Sequence, residues 1–373
     1  MQHGRSLPAA IYLRIMGTRI VRQTIIFQII CWVLAAYLFI TVRVLGLAEY
    51  DHIRVVIPIR YSLTIIQGTI AAILIGTILG IVDLFLAKST IRKRSFGFLV
   101  IVKALIYIST IIIVLSLIHF FSGIFADHDS VQQEFYKLLK FYQDKFLLAM
   151  LIYALVISFL VSFIKQVNQK FGPGLLWKMV RGKYFKPQQE ERIFMFLDLQ
   201  SSTTFAEKIG HVLFSEMIQD CFYDLATVVE KYRTEIYQYV GDEAVLSWKI
   251  KNGLLNHNCL RVFFAFDDVL KSRAEYYQEK YGFVPQFKAG VNDGQVMVAE
   301  VGEIKKEIAY HGDVLNTGAR IQSRCNFFGK KLLISEHLKE QLSTADELVI
   351  SFLAREELKG KSETVGIYSV ERK

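Results

Sequence analysis

Four apolar runs, each about as long as a bilayer is thick, lie before residue 165, and a soluble fold with one core has no place for them. They cover residues 24–42, 61–87, 96–121 and 146–164. A helix needs about 20 apolar residues to cross the hydrocarbon layer, and each run reaches or approaches that length. The expected organisation is a four-helix transmembrane domain over 1–165, a linker over 166–191 and a folded domain over 192–373. The positive mean hydropathy of +0.33 belongs to the first of these. The first run is too long for the apolar core of a signal peptide and reads as a retained helix.

The charges order this pattern. Arg5, Arg14, Arg19 and Arg22 precede the first run. Lys88, Arg92, Lys93 and Arg94 sit between the second and third. Lys165, Lys170, Lys178, Arg181, Lys183 and Lys186 follow the fourth. The other two connections read as loops of mixed sign: Arg43, Glu49, Asp51 and Arg54 in one, and Asp127, Asp129, Glu134, Lys137, Lys140 and Asp144 in the other. By the positive-inside rule both termini, and everything after residue 165, face the cytosol of a multi-pass membrane protein. The net charge of +9 therefore reads as topology. No basic-aromatic stripe supports a nucleic-acid partner. The four cysteines, Cys31, Cys221, Cys259 and Cys325, are far apart without metal-ligand spacing, which fits a reducing compartment. Asp83 and Lys103 lie inside apolar runs near their cytosolic ends, where snorkelling is expected, and His119 lies near an outer end. Gly172-Pro173-Gly174 breaks any helix entering the linker. Leu175-Leu176-Trp177 behind it fits either a short interfacial helix or a plain spacer.

Three features of the second half carry chemistry. RIFMFLDL, from Arg192, reads as an apolar strand that stops at Asp198, followed by Ser201-Ser202-Thr203-Thr204, which can cap a helix. Free N–H groups at a helix start bind anions, and a carboxylate beside them suits a Mg²⁺–phosphate site. TEIYQYV and EAVLSW then read as two strands joined at Gly241-Asp242, a hairpin tip. If that hairpin lies beside the first strand, Asp198 and Asp242 meet, and two adjacent carboxylates repel unless a cation separates them. A two-metal site would use such a pair directly. Finally, Asn316 and Arg320 are four apart and share one face of a helix, where a guanidinium can fork onto phosphate oxygens.

Together these stretches resemble the class III adenylate and guanylate cyclases. The resemblance rests on FLDLQSSTTFAEKIG from Phe196, EIYQYVGDEAV from Glu235 and AYHGDVLNTGARIQ from Ala309, in that order, with a weaker LKGKSETVGIYSV from Leu358. It implies an α+β, ferredoxin-like βαββαβ core beneath the α-helical membrane domain, working as a head-to-tail homodimer. It also implies two Mg²⁺ or Mn²⁺ ions per active site, held by Asp198, Leu199 and Asp242. Ser201, Ser202, Thr203 and either Lys359 or Lys361 would bind the triphosphate. Asn316 and Arg320 would act from the partner subunit. The positions that read the base are Gln238 and Ala309, where adenylate cyclases often carry Lys and Asp or Thr. Gln donates and accepts hydrogen bonds while Ala does neither, so the pair does not by itself select adenine. ATP is the expected substrate as the commonest in the family. GTP, a pyrimidine triphosphate, or a catalytically silent module are the alternatives. Gly241-Asp242-Glu243 is also similar to the GGDEF signature of diguanylate cyclases, but Val240 replaces its first glycine and nothing there accounts for Asn316 and Arg320.

Overall fold

The computed structural model describes residues 18–48, 61–88, 96–126, 130–171, 178–179, 181–344, 346–357 and 364–373. Arg5, Arg14, Arg92, Lys93, Arg94, the Gly172-Pro173-Gly174 break, the Leu175-Leu176-Trp177 segment, Lys359 and Lys361 lie outside those residues. The chain divides into two compact units, Leu7–Lys170 and a second built on Phe171–Lys373.

The first unit is a helical bundle: α1 (Thr18–Ala48), α2 (Tyr61–Lys88), α3 (Phe96–Ala126), α4 (Val131–Gln143) and α5 (Lys145–Phe171). Four of these contain stretches long and apolar enough to cross a membrane: Val21–Arg43, Ile65–Leu86, Ile101–Phe125 and Leu147–Lys165. Small residues decide how α1 and α2 pack. A Cβ at Gly76 would stand 2.6 Å from the Ile29 Cα, and one at Gly80 would stand 2.9 Å from the Ile25 Cα. The two backbones therefore touch, as helices in lipid do when small residues line their contact. Trp32, Ala72, Leu79, Tyr107, Ile111 and Ala154 form the bundle core. Leu34, Leu38 and Ile113 point outward, where lipid would cover them.

Two expectations about this half fail. Asp83 does not snorkel: it is 6% exposed and pairs with Lys103 at 3.2 Å and with Lys165. A carboxylate that finds two cations on neighbouring helices has no need to reach the interface. The mixed-charge connection before the fourth span is not a plain loop but the helix α4. Ser130 and Gln133 form a capping box at its start, the arrangement that satisfies the first free N–H groups of a helix.

The second unit is an eight-stranded sheet ordered β2-β3-β1-β4-β6-β8-β7, with β5 paired to β4. Its strands are β1 (Gln188–Leu199), β2 (Glu235–Val240), β3 (Glu243–Lys249), β4 (Phe287–Val301), β5 (Glu307–His311), β6 (Leu332–Ser335), β7 (Leu348–Glu357) and β8 (Thr364–Arg372). The helices that matter to the site are α6 (Ser202–Ile209), α7 (His211–Val229), α8 (Asn258–Ser272) and α9 (Asp313–Ser323). The order β1-α7-β2-β3-α8-β4, with antiparallel β1–β3 and β1–β4 pairs, is the expected βαββαβ core.

Side chains alternate across a strand, and this sorts the core into two layers. Ile193, Met195, Leu197 and Leu199 of β1 pack with Cys221 and Leu225 of α7 and Phe263 and Phe266 of α8. Phe194 and Phe196 point the other way and pack with Val314, Leu315 and Ala319 of α9. Asp198 has the parity of the second set, so it leaves the end of β1 on the α9 face.

Candidate active site

The central strands bring three charged groups into one row. In the sheet register Asp198 of β1 lies opposite Glu243 of β3 on one side and Lys288 of β4 on the other. Lys288 Nζ stands 3.5 Å from Asp198 Oδ2. Directly opposed like charges destabilise a strand pair, so an Asp–Glu register is a cost the fold carries here. The β2–β3 hairpin delivers Asp242 to the same place. Gly241 takes φ +60°, the left-handed conformation that a primed two-residue turn needs and that glycine adopts freely. The hairpin tip brings Asp242 near enough to Asp198 for its charge to raise the Asp198 pKa.

The electrostatics record the crowding. Burial, and then the negative charge of Asp242, raise the Asp198 pKa, while Lys288 and Gln322 pull the other way. Burial together with Asp198 and Asp242 lifts the Glu243 carboxyl to about 7. Oδ2 of Asp242 is buried without a hydrogen-bond partner. A buried acceptor left open costs about 1–3 kcal/mol. Open carboxylate oxygens facing one another are the donor set a hard cation takes. Mg²⁺ in particular is held by one or two carboxylates and completes its shell with water and phosphate. Among the described residues no group of three or more His, Cys, Asp or Glu side chains is placed to hold a metal ion by itself. A cation at Asp198 and the open oxygen of Asp242 would therefore need further oxygen ligands, which water or a bound phosphate can supply. Leu199, whose side chain is buried on the α7 face, can contribute only its backbone carbonyl.

Two further residues, not singled out from the sequence, hold the row in place. Gln322 of α9 donates from Nε2 to Asp198 Oδ2 at 2.9 Å. It reaches there because α9 lies unusually close to the sheet. A Cβ on Gly290 would stand 2.2 Å from the Gln322 backbone nitrogen, and one on Gly318 would stand 2.8 Å from the Phe196 ring. Lys288 is the second. Lys288 follows from the pairing of β1 with β4 and Gln322 from the way α9 lies over β1, and a single sequence gives neither.

The other expected residues are placed as follows. Ser201 occupies the N-cap position of α6, yet it adopts a left-handed φ of +57° and its side chain makes no cap hydrogen bond. The capping expectation is thus corrected: the tight turn out of β1 sets the conformation, at a cost of roughly 1–2 kcal/mol for a residue with a Cβ. Ser202 and Thr203 begin α6. Asn316 and Arg320 both lie on α9; Asn316 is exposed, and Nη1 of Arg320 is buried without a partner. At 100° per residue Arg320 is about 200° around the helix from Gln322, so the Asn316–Arg320 face turns away from Asp198. Gln238 on β2 faces Val245 and Ala309 on β5 faces Ala299. Their neighbours Tyr237 and Tyr310 meet edge to face, with ring centroids 4.8 Å apart.

Comparison with known proteins places the second half of the chain in one family. The family model for the adenylate and guanylate cyclase catalytic domain matches residues 185–371. Adenylate cyclase 2 of Rhizobium meliloti (strain 1021) is 33% identical over 223 residues, which is 60% of this chain and 61% of that protein. The terminal-differentiation-specific adenylate cyclase of Dictyostelium discoideum is 35% identical over 83 residues, 22% of this chain and 4% of that protein. The chain thus spans about three-fifths of the first relative's length. Among solved structures, a bacterial light-regulated adenylyl cyclase has a TM-score of 0.49 at 19% identity, covering 58% of this chain and 64% of that one. The adenylyl cyclase CyaB from P. aeruginosa has a TM-score of 0.45 at 18% identity, covering 50% and 97%. With its motifs in the family's order on a βαββαβ core, and the family model spanning half its length, the chain belongs to the class III adenylate and guanylate cyclases.

Proposed function

We propose that this chain is a membrane-anchored adenylate cyclase that converts ATP to 3′,5′-cyclic AMP and pyrophosphate as a homodimer, with the catalytic domain in the cytosol. The observation that carries the reading is the open oxygen of Asp242 beside Asp198, in a row with more carboxylates than partners. Adenine is favoured because the relative from Rhizobium meliloti is named an adenylate cyclase. The four apolar helices support the anchor.

In the reaction the ribose 3′-oxygen bonds to the α-phosphorus, the bond from that phosphorus to the bridging oxygen breaks, the hydroxyl proton passes to solvent, and pyrophosphate leaves. Asp198, Asp242 and the Leu199 carbonyl would hold two Mg²⁺ or Mn²⁺ ions, which would lower the pKa of the attacking hydroxyl and offset charge on the leaving group. Gln322 fixes the orientation of the Asp198 carboxylate, and Lys288 tempers the negative charge of the row. Arg320 takes the α-phosphate oxygens and Asn316 orients the ribose. Both act across the dimer, which accords with their facing away from Asp198 within one chain. The turn at Ser201, Ser202 and Thr203, and a lysine at 359 or 361, receive the triphosphate. Gln238 and Ala309 flank the base. Positioning and charge stabilisation supply the rate, with no protein acid or base required.

The test is a product assay on the full chain in nanodiscs, offering ATP, GTP, CTP and UTP separately with Mg²⁺ or Mn²⁺. Cyclic AMP from ATP, absent in Asp242→Ala, is the expected result. A different cyclic nucleotide replaces the substrate, and no cyclic product from any of the four removes the enzymatic reading. Mixing Asp198→Ala with Arg320→Ala chains restores part of the activity if the site is shared, since one of the two sites in each mixed dimer is then intact.

A further inference from the structure

The helix α4 has thirteen residues, too few to cross a bilayer, and its side chains sort onto three sides. Val131, Phe135 and Leu139 recur four residues apart, so they form one stripe, and they are 64%, 59% and 49% exposed. Glu134 and Phe141 lie about 100–120° around the helix from Phe135 and face the bundle. Glu134 is 1% exposed and packs so closely on Gly123 of α3 that a Cβ there has no room, while Phe141 stacks on His119 of α3 with ring centroids 4.8 Å apart. Gln133, Lys137 and Lys140 fall about 140–160° from Phe135, on the remaining side. The stripe itself carries no charge.

The depth of α4 follows from what it touches. It meets α3 at Ser116, whose hydroxyl lies 2.5 Å from that of Tyr142, at His119 and at Gly123. All three lie inside Ile101–Phe125, the stretch of α3 apolar enough to cross a membrane. The helix therefore sits beside the last turns of that span and not beyond them. On the α3 surface along the same turns, Leu117, Phe121 and Phe125 are exposed too, so the stripe continues an apolar surface. The C-terminal end of α4 is held at a similar depth. Only Asp144 separates it from α5, whose own apolar stretch begins at Leu147.

A contiguous exposed apolar surface marks a contact with protein or with membrane. The charges of α4 favour the membrane. A helix lying in the bilayer interface carries Phe and Leu on one face and Lys on the other, and Lys137 and Lys140 stand opposite the stripe. Lys140 Nζ sits 4.8 Å over the Tyr136 ring, between the two faces, and Tyr is a side chain suited to the headgroup level. We infer that α4 rests in the interfacial layer of the bilayer, with Val131, Phe135 and Leu139 against the lipid acyl chains and Gln133, Lys137 and Lys140 toward the headgroups and water. The occupant of the stripe is thus lipid. The inference rests on the reading of the four apolar helices as membrane spans.

The test needs no variant. The full chain is placed in phosphatidylcholine nanodiscs in which a fraction of the lipid carries a diazirine in one acyl chain, either next to the ester or next to the terminal methyl. Irradiation turns the diazirine into a carbene that inserts into neighbouring side chains, and the adducts are mapped to single residues by mass spectrometry. Leu34, Leu38 and Ile113 point outward from the spans and serve as controls. Adducts are expected on Val131, Phe135 and Leu139 and not on Gln133, Lys137 or Lys140. The ester-end probe should label the stripe more than the methyl-end probe does, while Ile113, near the middle of its span, should show the reverse order. Labelled controls beside an unlabelled stripe would overturn the inference, because a second copy of the chain or water then covers that face. A stripe labelled mainly by the methyl-end probe would overturn it as well, since α4 would then lie deeper than the interface. Controls and stripe both unlabelled would remove the membrane spans themselves, and the inference with them.

Discussion

Two carboxylate centres, one buried in the helical unit and one half-buried in the sheet, have opposite balances of donors and acceptors. In the bundle, Asp83 accepts from Gln28 Nε2 at 2.6 Å and from the Tyr107 hydroxyl at 2.9 Å, lies 3.2 Å from Lys103 Nζ, and pairs with Lys165. The donors come from α1, α3 and α5, and both oxygens are satisfied. In the sheet, Asp198, Asp242 and Glu243 share one lysine and one amide, and an oxygen of Asp242 has no partner. Asp83 is also the more buried, its side chain 6% exposed against 24% for Asp198, but the difference in partners is what sets their roles apart. A carboxylate whose every lone pair is met by its own chain holds helices together. Carboxylates that outnumber their donors are held in place for something the chain does not supply.

That contrast is broken most directly by removing one carboxylate from each centre. Asp242→Ala should lower cyclic-nucleotide production by ~10³-fold or more, because a lost cation site removes several kcal/mol of transition-state stabilisation. The same variant should unfold at an equal or higher temperature than the parent when divalent cations are absent, since the repulsion inside the row is relieved. Asp83→Asn should do the reverse. It leaves the half-buried Lys103 and Lys165 with too little countercharge, a loss that costs about 3–5 kcal/mol in fully buried pairs and less here. Thermal unfolding in nanodiscs reads both effects. A stabilising Asp83→Asn, or an Asp242→Ala that melts far below the parent, would remove the distinction between the two centres.

How much of this contrast is legible in the sequence differs between the two centres. Asp198 and Asp242 are, because each ends or turns a strand and such positions are written in local pattern: an apolar run that stops, a Gly-Asp tip between alternating segments. Asn316 and Arg320 are legible through helical spacing. Gln322 and Lys288 are not. Their roles depend on how α9 lies on β1 and on which residues of β1 and β4 face each other, and both are set by packing between segments about 90 or more positions apart. The same holds for Asp83. The sequence shows a charge near the end of a span, and the snorkelling expected of it holds only where no partner exists. Lys103, Lys165 and Gln28 lie on three other helices, and no periodicity connects them. The helix α4 was hidden for a different reason. Its charged residues read as a loop, while Ser130 and Gln133, which start it, are ordinary polar residues in any window that does not test for a cap.

A smaller effect sharpens the comparison within the acidic row. Gln322→Leu keeps the bulk under Gly290 and removes the single amide that donates to Asp198. The carboxylate then loses its fixed orientation, and kcat should fall about tenfold, the worth of one hydrogen bond to a charged group. KM for the nucleotide should move little, because Gln322 does not lie on the face that carries Asn316 and Arg320. An unchanged kcat would mean that Lys288 and the strand register suffice to hold Asp198.

The smallest expected effect concerns a carboxylate of the second unit outside the acidic row, one with the donor-rich balance of Asp83. Glu190, on β1, accepts from Lys183 at 2.9 Å, Arg192 at 3.0 Å and the Tyr184 hydroxyl at 3.1 Å. Burial alone would raise its pKa, but the bonds and charges of Lys183 and Arg192 outweigh it and hold the carboxyl at about 2, below its ordinary 4.5. A folded-state pKa below the unfolded one means that the unfolded chain binds more protons between those values, so stability rises with pH there. The contribution is complete above about pH 4.5 and is lost as pH falls toward 2. Glu190→Gln should therefore unfold at a lower temperature than the parent at neutral pH, by the equivalent of about 1 kcal/mol or less once solvent screening of Lys183 is allowed for. The two melting curves should converge as the pH is lowered from 4.5. A gap that stays constant down to pH 3 would show that Glu190 acts through packing on Tyr184 and Arg192, and that charge balance is not what separates this carboxylate from the acidic row.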